Sequence, residues 1–294
     1  MEGLIYKIEK YTTQCGPGFR TVVYMKGTPL EYPWCEFPEA QENDIEMLFD
    51  KEKCKMCYKC TQACNQRIVA EAEHQVFECT KCGKCVEACP NGARELIGEY
   101  ITPKELVDRI MPEMEYYKTS GGGVTFSGGE PLMQADFLLE VIKLLKENDV
   151  NVAIETDGFV DYKVFEKLIP YTDYFLYNLD LVNDDVHKRF TGVSNELIIE
   201  NLKKVSFSMS KVIVNVTFVS EVNCNMDELK LIVSLLSKLE LEGIIIKGYN
   251  NTNEHMYSLL GKNREFNFKA PNKKTLVNIS NLFKRICDDV KILS

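Results

Sequence analysis

The chain has 294 residues and a formal net charge of −9 at pH 7, which excludes a general nucleic-acid binder because phosphates require a basic surface. Hydrophobic residues make up 45% of it, enough for a large core, but its apolar runs at 138–145 and 231–239 are too short to span a membrane. We expect no targeting segment after Met1, so the sequence predicts a cytoplasmic protein with neither nucleic acid nor a membrane among its partners.

The predicted elements begin with two short strands at 4–8 and 22–25, and a cysteine-rich segment follows them. Beyond that segment, Thr102, Pro103 and Glu105 provide a helix start with a capping box and a proline at the first position. Helices and strands then alternate to the end of the chain. The helices are predicted at 102–117, 137–147, 162–168, 195–205, 226–239 and 272–292, and the strands at 124–127, 152–155, 174–179, 212–219 and 243–247.

This alternation predicts an α/β fold in which parallel strands are joined by right-handed helical crossovers. About six such units indicate a partial barrel, (β/α)6, rather than a complete barrel of eight units. In such a barrel the loops that follow the carboxyl ends of the strands carry the site. The polar residues at or near these ends are Glu130, Thr156, Asp157, Asn178 and Asp180.

Two four-cysteine runs lie end to end in the cysteine-rich segment and hold eight of the chain's 12 cysteines. Each run has the spacing Cys-x-x-Cys-x-x-Cys-x-x-x-Cys. In two-cluster ferredoxins, three cysteines of such a run bind one 4Fe–4S cluster and the fourth binds the other cluster. The spacing therefore predicts one cluster on Cys54, Cys57, Cys60 and Cys89, and a second on Cys79, Cys82, Cys85 and Cys64.

Other interpretations of these cysteines fit less well. Disulfides require an oxidising compartment, and zinc sites use Cys-x-x-Cys pairs separated by longer loops. Because the segment has few apolar residues, we expect an insertion at 49–97 held by its clusters, between barrel parts at 1–48 and 98–294. Its lysines either offset the charge of the clusters or form a docking face for an acidic electron donor; they are Lys51, Lys53, Lys55, Lys59, Lys81 and Lys84.

Several further segments carry a resemblance that extends over nearly the whole chain. They are 15–21, 26–27, 33–35, 120–131, 155–158, His187, 191–195, Tyr257 and 260–261. In these segments the chain resembles the glycyl-radical-enzyme activating enzymes of the radical SAM superfamily, many of which carry a two-cluster insertion after the first strand and loop. The resemblance implies a radical-SAM-type barrel whose Gly128, Gly129 and Glu130 take the amino group of S-adenosylmethionine (SAM).

The resemblance also implies a third 4Fe–4S cluster, held by Cys-x-x-x-Cys-x-x-Cys, with one iron open to chelate SAM. In that family one electron cleaves SAM, and the radical produced takes hydrogen from a glycine of a partner enzyme. The present chain departs from this pattern, because the three cysteine positions are Thr28, Tyr32 and Cys35. Hydroxyl oxygens are poor ligands for a soft cluster. We therefore expect two clusters without a third, which leaves SAM binding open.

Further departures from the family pattern lie in several site loops. The acidic residue that precedes Gly-Pro-Gly in the family is Cys15, and a strand arginine is replaced by Asn215. The family's Asp-x-Lys is Asn178-Leu179-Asp180, and the loop at 219–223 lacks the family's prolines. Changes spread over several loops indicate a relaxed or redirected function rather than the loss of one ligand.

Three residues near these loops are expected to have structural roles. Arg20 is expected in an ion pair, His187 near a helix start, and Trp34 as a packing anchor. For Cys15 and Cys35, which flank the third-cluster position, the alternatives are ordinary thiols, a redox pair or ligands of an atypical cluster.

The sequence thus predicts an iron–sulfur protein that resembles an activase but does not cleave SAM by the usual route. Its expected role is one-electron transfer from a low-potential donor, or accessory binding to a glycyl-radical enzyme or a related activase. Two alternatives stay open. One is an oxidoreductase that activates a glycyl-radical enzyme through an atypical cluster, and the other is a non-redox scaffold with structural clusters.

Overall fold

The computed structural model describes residues 1–65, 79–263 and 267–293. The predicted insertion at 49–97 therefore lies partly outside the described residues. The first elements are β1 (Gly3–Thr12), β2 (Arg20–Met25), β3 (Glu46–Phe49), α1 (Lys59–Ala63), α2 (Lys84–Glu87), β4 (Arg94–Ile97) and β5 (Glu99–Ile101).

Alternating helices and strands follow, as the sequence predicts. They are α3 (Pro103–Ile110), α4 (Met114–Ser120), β6 (Gly123–Gly128), α5 (Ala135–Lys146), β7 (Asn151–Thr156), α6 (Tyr162–Leu168), β8 (Tyr174–Asn178), α7 (Asp184–Thr191), α8 (Glu196–Ser206), β9 (Lys211–Phe218), α9 (Met226–Leu236), β10 (Gly243–Gly248), α10 (Glu254–Leu260), α11 (Lys273–Phe283) and β11 (Val290–Leu293).

The main sheet has nine strands in the order β11-β10-β9-β8-β7-β6-β2-β1-β5. Strand β2 and strands β6 to β11 run parallel, whereas β1 and β5 add an antiparallel edge. One large apolar core joins the sheet to the helices, with Phe126 and Val214 fully buried on the strands and Leu138 on α5. The predicted partial barrel of α/β type is confirmed, and β11 extends it by one parallel strand.

The inserted segment leaves the barrel through a separate antiparallel pair. Strands β3 and β4 pair with each other from Glu46 opposite Ile97 to Phe49 opposite Arg94. Helices α1 and α2 contact each other beyond this pair. The β3–β4 pair therefore connects the cysteine runs to the barrel at both ends of the insertion.

Two predicted helices differ from the observed ones. The helix predicted at 102–117 is divided into α3 and α4 by a 3-10 turn at Met111–Glu113, because Pro112 has no N–H to continue the helix. The helix predicted at 272–292 ends at Phe283, and β11 then pairs with β10. Helix α10 and the β3–β4 pair were not predicted, and of α7 only a helix start near His187 was expected.

Arg20 closes the amino-terminal end of the barrel. It is fully buried, and its guanidinium donates to Thr125 Oγ1 at 2.6 Å and to Asn151 Oδ1 at 3.0 Å. It also donates to the carbonyl oxygens of Val124 at 2.8 Å and Pro17 at 3.2 Å. These acceptors are neutral, so hydrogen bonds take the place of the expected ion pair among the described residues. Burial lowers the pKa of Arg20 to about 10.

We expect Arg20→Met to lower the free energy of unfolding by about 3 kcal/mol or more, because it leaves several buried oxygens without a hydrogen-bond donor. The matched control is Arg109→Met, whose guanidinium lies 2.6 Å from Glu99 with both side chains about half exposed. Such an exposed pair contributes about 0.2–1 kcal/mol. Anaerobic urea unfolding compares the two variants, and equal losses would contradict the role assigned to Arg20.

Candidate functional site

The loop after β2 contains the three positions of the family's third cluster. The hydroxyl of Thr28 donates to the carbonyl oxygen of Leu30 at 3.0 Å and accepts from its N–H at 3.2 Å, which closes a local turn. The hydroxyl of Tyr32 lies 3.2 Å from His187 Nε2. Of the three positions, Cys35 alone carries a thiol, and burial raises its pKa to about 12. This set of side chains does not fit a cluster that needs three thiolates.

Aromatic side chains cover the barrel mouth above this loop. Trp34 is only 3% exposed, and its ring centroid lies 5.2 Å from that of Tyr32 and 5.3 Å from that of Phe190 on α7. The same cluster includes residues from the loops after β8, β9 and β10. We call it the mouth cluster and define it as Tyr32, Trp34, Leu181, Phe190, Val219, Val222, Tyr249 and Phe268. Trp34 is thus a packing residue, as expected.

His187 lies in the first half of α7 and is buried. Its Nδ1 lies 2.8 Å from the carbonyl oxygen of Val193, and its Nε2 faces Tyr32. Burial lowers the pKa of His187, which favours the neutral imidazole. The neutral ring therefore faces the Tyr32 hydroxyl. The sequence did not reveal this pairing, which joins residues from distant loops.

Three of the positions that depart from the family pattern form hydrogen bonds inside the barrel. The side-chain amide of Asn215 donates to Asn178 Oδ1 and to Glu155 Oε1, each at 3.1 Å. Asp180 accepts from the indole N–H of Trp34 at 2.9 Å and from the backbone N–H of Thr217 at 2.7 Å. Asn178 and Asn215 therefore bond each other, and Asp180 bonds the indole of Trp34 and the backbone of β9.

The polar interior of the barrel continues from Asn215 to a charged pair. Glu155 accepts from the Ser127 hydroxyl at 2.7 Å and lies 3.4 Å from the ammonium group of Lys247. Burial would lower the pKa of Lys247, but nearby negative groups, Glu155 first among them, outweigh it and raise the pKa. Lys247 therefore stays charged beside Glu155.

The edge formed by Gly128, Gly129 and Glu130 fits closely against the end of β2. A Cβ on Gly129 would lie 2.2 Å from the carbonyl oxygen of Gly27, and a Cβ on Gly128 would lie 2.5 Å from that of Met25. Both positions therefore require glycine.

Glu130 is fully buried, and its carboxylate is already bonded within the protein. It accepts from the N–H of Leu132 at 3.0 Å, the Thr156 hydroxyl at 2.8 Å and the N–H of Asp157 at 3.0 Å. Burial raises the pKa of Glu130 to about 7, although these hydrogen bonds oppose the shift. Burial and then the charge of Glu130 raise the pKa of Asp157. Near neutral pH the two carboxyl groups therefore hold less than two full negative charges.

Cys15 and Cys35 lie in different parts of the barrel. Cys15 packs against a buried cluster on β7 to β10, formed by Ala153, Leu176, Ile213 and Ile245. Cys35 lies in the loop after β2, where its carbonyl oxygen accepts from the Tyr257 hydroxyl at 2.8 Å. Burial raises the pKa of Cys15 to about 12. Both thiols are therefore neutral groups in separate surroundings.

The four cysteines expected to hold the second cluster line one cavity of about 210 Å³ in the insertion. Three belong to the second run and one closes the first run; they are Cys79, Cys82, Cys85 and Cys64. Within the described residues, no three His, Cys, Asp or Glu side chains converge on a single-ion site. Thiols spread around a cavity suit a cluster, in which each thiolate binds a different iron.

The two runs repeat the same unusual backbone conformation. Met56 and Tyr58, which flank Cys57, have φ angles of 49° and 57°, and Lys81 and Gly83, which flank Cys82, have φ angles of 53° and 75°. This left-handed conformation costs a non-glycine residue about 1–2 kcal/mol. The repetition indicates that both runs are shaped for the same kind of ligand.

Backbone N–H groups point toward sulfur atoms of the second cysteine run. Cys89 Sγ accepts from the N–H of Ala93 at 3.3 Å, and Cys79 Sγ accepts from that of Lys81 at 3.4 Å. Burial would raise the pKa of Cys89, but backbone N–H groups, that of Ala93 first, lower it. The N–H of Lys84 lowers the pKa of Cys82. These donors favour thiolates, the form that binds iron.

Comparison with protein families gives two matches along the chain. A model described as the radical SAM superfamily matches residues 77–230, and one described as a 4Fe-4S dicluster domain matches residues 46–90. No helix in the described ranges is long and apolar enough to cross a membrane.

Individual proteins are similar over most of the chain. The trans-4-hydroxy-L-proline dehydratase activating enzyme of Clostridioides difficile is 33% identical, over 99% of this chain and 99% of its own length. The choline trimethylamine-lyase activating enzyme of Oleidesulfovibrio alaskensis is 35% identical, over 88% of this chain and 87% of its own.

Solved structures support the fold. A domain of pyruvate-formate lyase-activating enzyme from Bacteroides vulgatus has a TM-score of 0.50 at 22% identity and covers 59% of this chain and 99% of that one. Streptococcus suis SuiB bound to its precursor peptide has a TM-score of 0.58 at 11% identity and covers 93% of this chain and 48% of that one.

Proposed function

Since this chain belongs to the glycyl-radical-enzyme activating enzymes of the radical SAM superfamily, we propose that it transfers single electrons or assists a partner without cleaving SAM by the usual route. The observation that carries this proposal is the state of the third-cluster loop. Thr28 uses its hydroxyl in a local turn, and Tyr32 directs its hydroxyl at His187. Neither side chain offers a thiolate to iron.

The mouth cluster supports the same proposal. Trp34 and Tyr32 pack over the barrel end, and Asp180, at the family's lysine position, bonds the Trp34 indole. Asn178 and Asn215, at two more departures, bond each other. Each of these replaced residues is thus engaged within the protein, which supports a site that no longer binds SAM in the usual way. We propose that Gly128, Gly129 and Glu130 are a vestigial SAM-binding edge. They would be retained because their close contacts with the end of β2 hold β6 against it.

We assign the two clusters of the insertion, at 49–97, to the eight cysteines of the runs. Cys54, Cys57, Cys60 and Cys89 would hold one, and Cys79, Cys82, Cys85 and Cys64 the other. When bound, these clusters supply one-electron transfer at low potential. The chain's own contribution is to orient sulfur with backbone N–H groups, such as those of Ala93 and Lys81, and to exclude water around the buried Cys85.

The partner we propose is a glycyl-radical enzyme or a related activase. Relatives of this chain are named as activating enzymes of a dehydratase and of lyases, and that class of partner comes from their names. A reducing compartment such as the cytoplasm suits eight cysteines held as thiolates.

A second candidate is an activase that still cleaves SAM through an atypical cluster. The intact Gly128, Gly129 and Glu130 edge favours it, whereas the engaged hydroxyls of Thr28 and Tyr32 oppose it.

The test is an anaerobic assay of the reconstituted protein with dithionite and SAM. We expect reversible reduction of the clusters, seen by EPR, and no 5′-deoxyadenosine above the level of protein-free controls. Formation of 5′-deoxyadenosine would favour the second candidate. Clusters that cannot be reduced would instead indicate a scaffold in which they are only structural.

A further inference from the structure

The first cysteine run exposes two apolar side chains beside a cluster position. Met56 is 72% exposed and Tyr58 is 61% exposed, and both flank the exposed Cys57. The equivalent positions of the second run differ. Lys81 there forms an ion pair with Asp44, and Gly83 has no side chain.

Tyr58 is costly in this position for two reasons. Its backbone is left-handed, with φ of 57°, a conformation that glycine adopts without strain and that Gly83 adopts in the second run. Its ring is also exposed, so burial does not offset the strain. A large apolar residue kept in a strained and exposed position indicates a contact with another molecule.

Lysines surround these two side chains. Lys51, Lys53, Lys55 and Lys59 are all exposed, against two acidic neighbours in the same stretch, Asp50 and Glu52. Asp50 lies 3.2 Å from Lys53. The lysines of this stretch therefore outnumber its acidic side chains on a chain whose net charge is −9. We call Lys51, Lys53, Lys55, Met56, Tyr58 and Lys59 the first-run face.

We propose that the first-run face docks an acidic iron–sulfur electron carrier. The apolar centre would contact the surface around the carrier's own cluster, and the lysine rim would attract its acidic side chains. One electron would leave the reduced carrier and enter the cluster proposed on Cys54, Cys57, Cys60 and Cys89, so the carrier is oxidised by one electron and this protein is reduced by one. The inference rests on the proposed function, because it requires clusters that accept electrons.

The charge arrangement also predicts how docking depends on salt. Attraction between exposed charges is screened over about 10 Å at 0.1 M salt, so an interface steered by lysines weakens as salt increases. The second run lacks the apolar centre of such a face, since Lys81, which is paired with Asp44 and largely covered, and Gly83 stand in place of Met56 and Tyr58. Docking should therefore be one-sided.

The test uses the full reconstituted chain and a reduced or oxidised acidic [2Fe–2S] ferredoxin as the probe. Calorimetry measures the dissociation constant at low and high salt, and anaerobic stopped-flow measures the rate of cluster reduction. We expect K55E/K59E to weaken binding about tenfold or more at low salt and to match the parent protein at high salt. The matched control is K273E/K274E, which makes the same charge change at exposed lysines on α11.

Tyr58→Gly separates the apolar contact from the charges. It relieves a strained backbone, so the fold and iron content should persist while binding weakens at every salt concentration. Dithionite is small and needs no docking face, so it should reduce the clusters of all variants equally. If dithionite reduces them but the K55E/K59E and Y58G variants bind the ferredoxin as the parent does, the docking inference is wrong. If dithionite reduces no variant, the proposed function itself is wrong.

Discussion

Replacing Thr28 and Tyr32 together by cysteine should raise the iron content of the reconstituted protein from about 8 to about 12 atoms per chain. The variant restores the spacing Cys-x-x-x-Cys-x-x-Cys with Cys35. The loop itself is firmly held, since the N–H of Gly27 donates to the carbonyl oxygen of Ala40 at 2.8 Å and the N–H of Glu130 donates to that of Gly27 at 2.7 Å. We therefore expect that thiolates are what the loop lacks.

The control for this gain is T28S/Y32F, which changes the same two positions without adding sulfur. Its iron content should stay at about 8 atoms per chain. Loss of the Tyr32 ring leaves space beside Trp34, so the cysteine variant will be less stable, and urea unfolding must show that it is still folded. A folded T28C/Y32C protein that holds no more iron than T28S/Y32F would contradict our account of the missing cluster.

The second large effect concerns how the cysteine runs share their clusters. Under the proposed crossing, Cys64 and Cys79 serve the same cluster, so C64S/C79S should keep about 4 iron atoms per chain. Cys60 and Cys64 belong to one run but to different clusters, so C60S/C64S should lose nearly all iron. Ligation within each run predicts the reverse, with C60S/C64S keeping one cluster.

Iron analysis and EPR of the two double variants distinguish these patterns directly. The matched control is C224S/C287S, which removes two thiols that lie outside the runs. It should keep about 8 iron atoms per chain. Because the cluster proposed on Cys64, Cys79, Cys82 and Cys85 would use all four thiolates around this cavity, we also expect C64S/C79S to unfold at lower urea concentration.

Much of the barrel could be predicted from local sequence patterns. The capping box forms as expected, since the Thr102 hydroxyl accepts from the N–H of Glu105 at 3.3 Å and the Glu105 carboxylate accepts from the N–H of Thr102 at 3.0 Å. The last strand could not be predicted in this way. Val290–Leu293 is short, and it is a strand because it pairs with Ile244 to Lys247 on β10. Local periodicity carries no information on such a pairing.

In the candidate site, too, local features could be predicted from the sequence and long-range contacts could not. The cysteine runs are local, and their spacing alone predicts their ligands. The contacts of the barrel mouth join residues far apart in sequence, such as Tyr32 with His187 and Trp34 with Asp180. The hydrogen bonds of Arg20 could not be predicted either, because nothing in the sequence distinguishes an arginine bonded to neutral oxygens from one in an ion pair.

Trp34 is the single tryptophan of the chain, and it lies at the centre of the mouth cluster. Indole fluorescence therefore comes from one position in the molecule. Its emission is set by the apolar rings around it and by the Asp180 carboxylate 2.9 Å from its N–H. The emission of Trp34 should therefore report on the barrel mouth and change when a bound molecule displaces these rings.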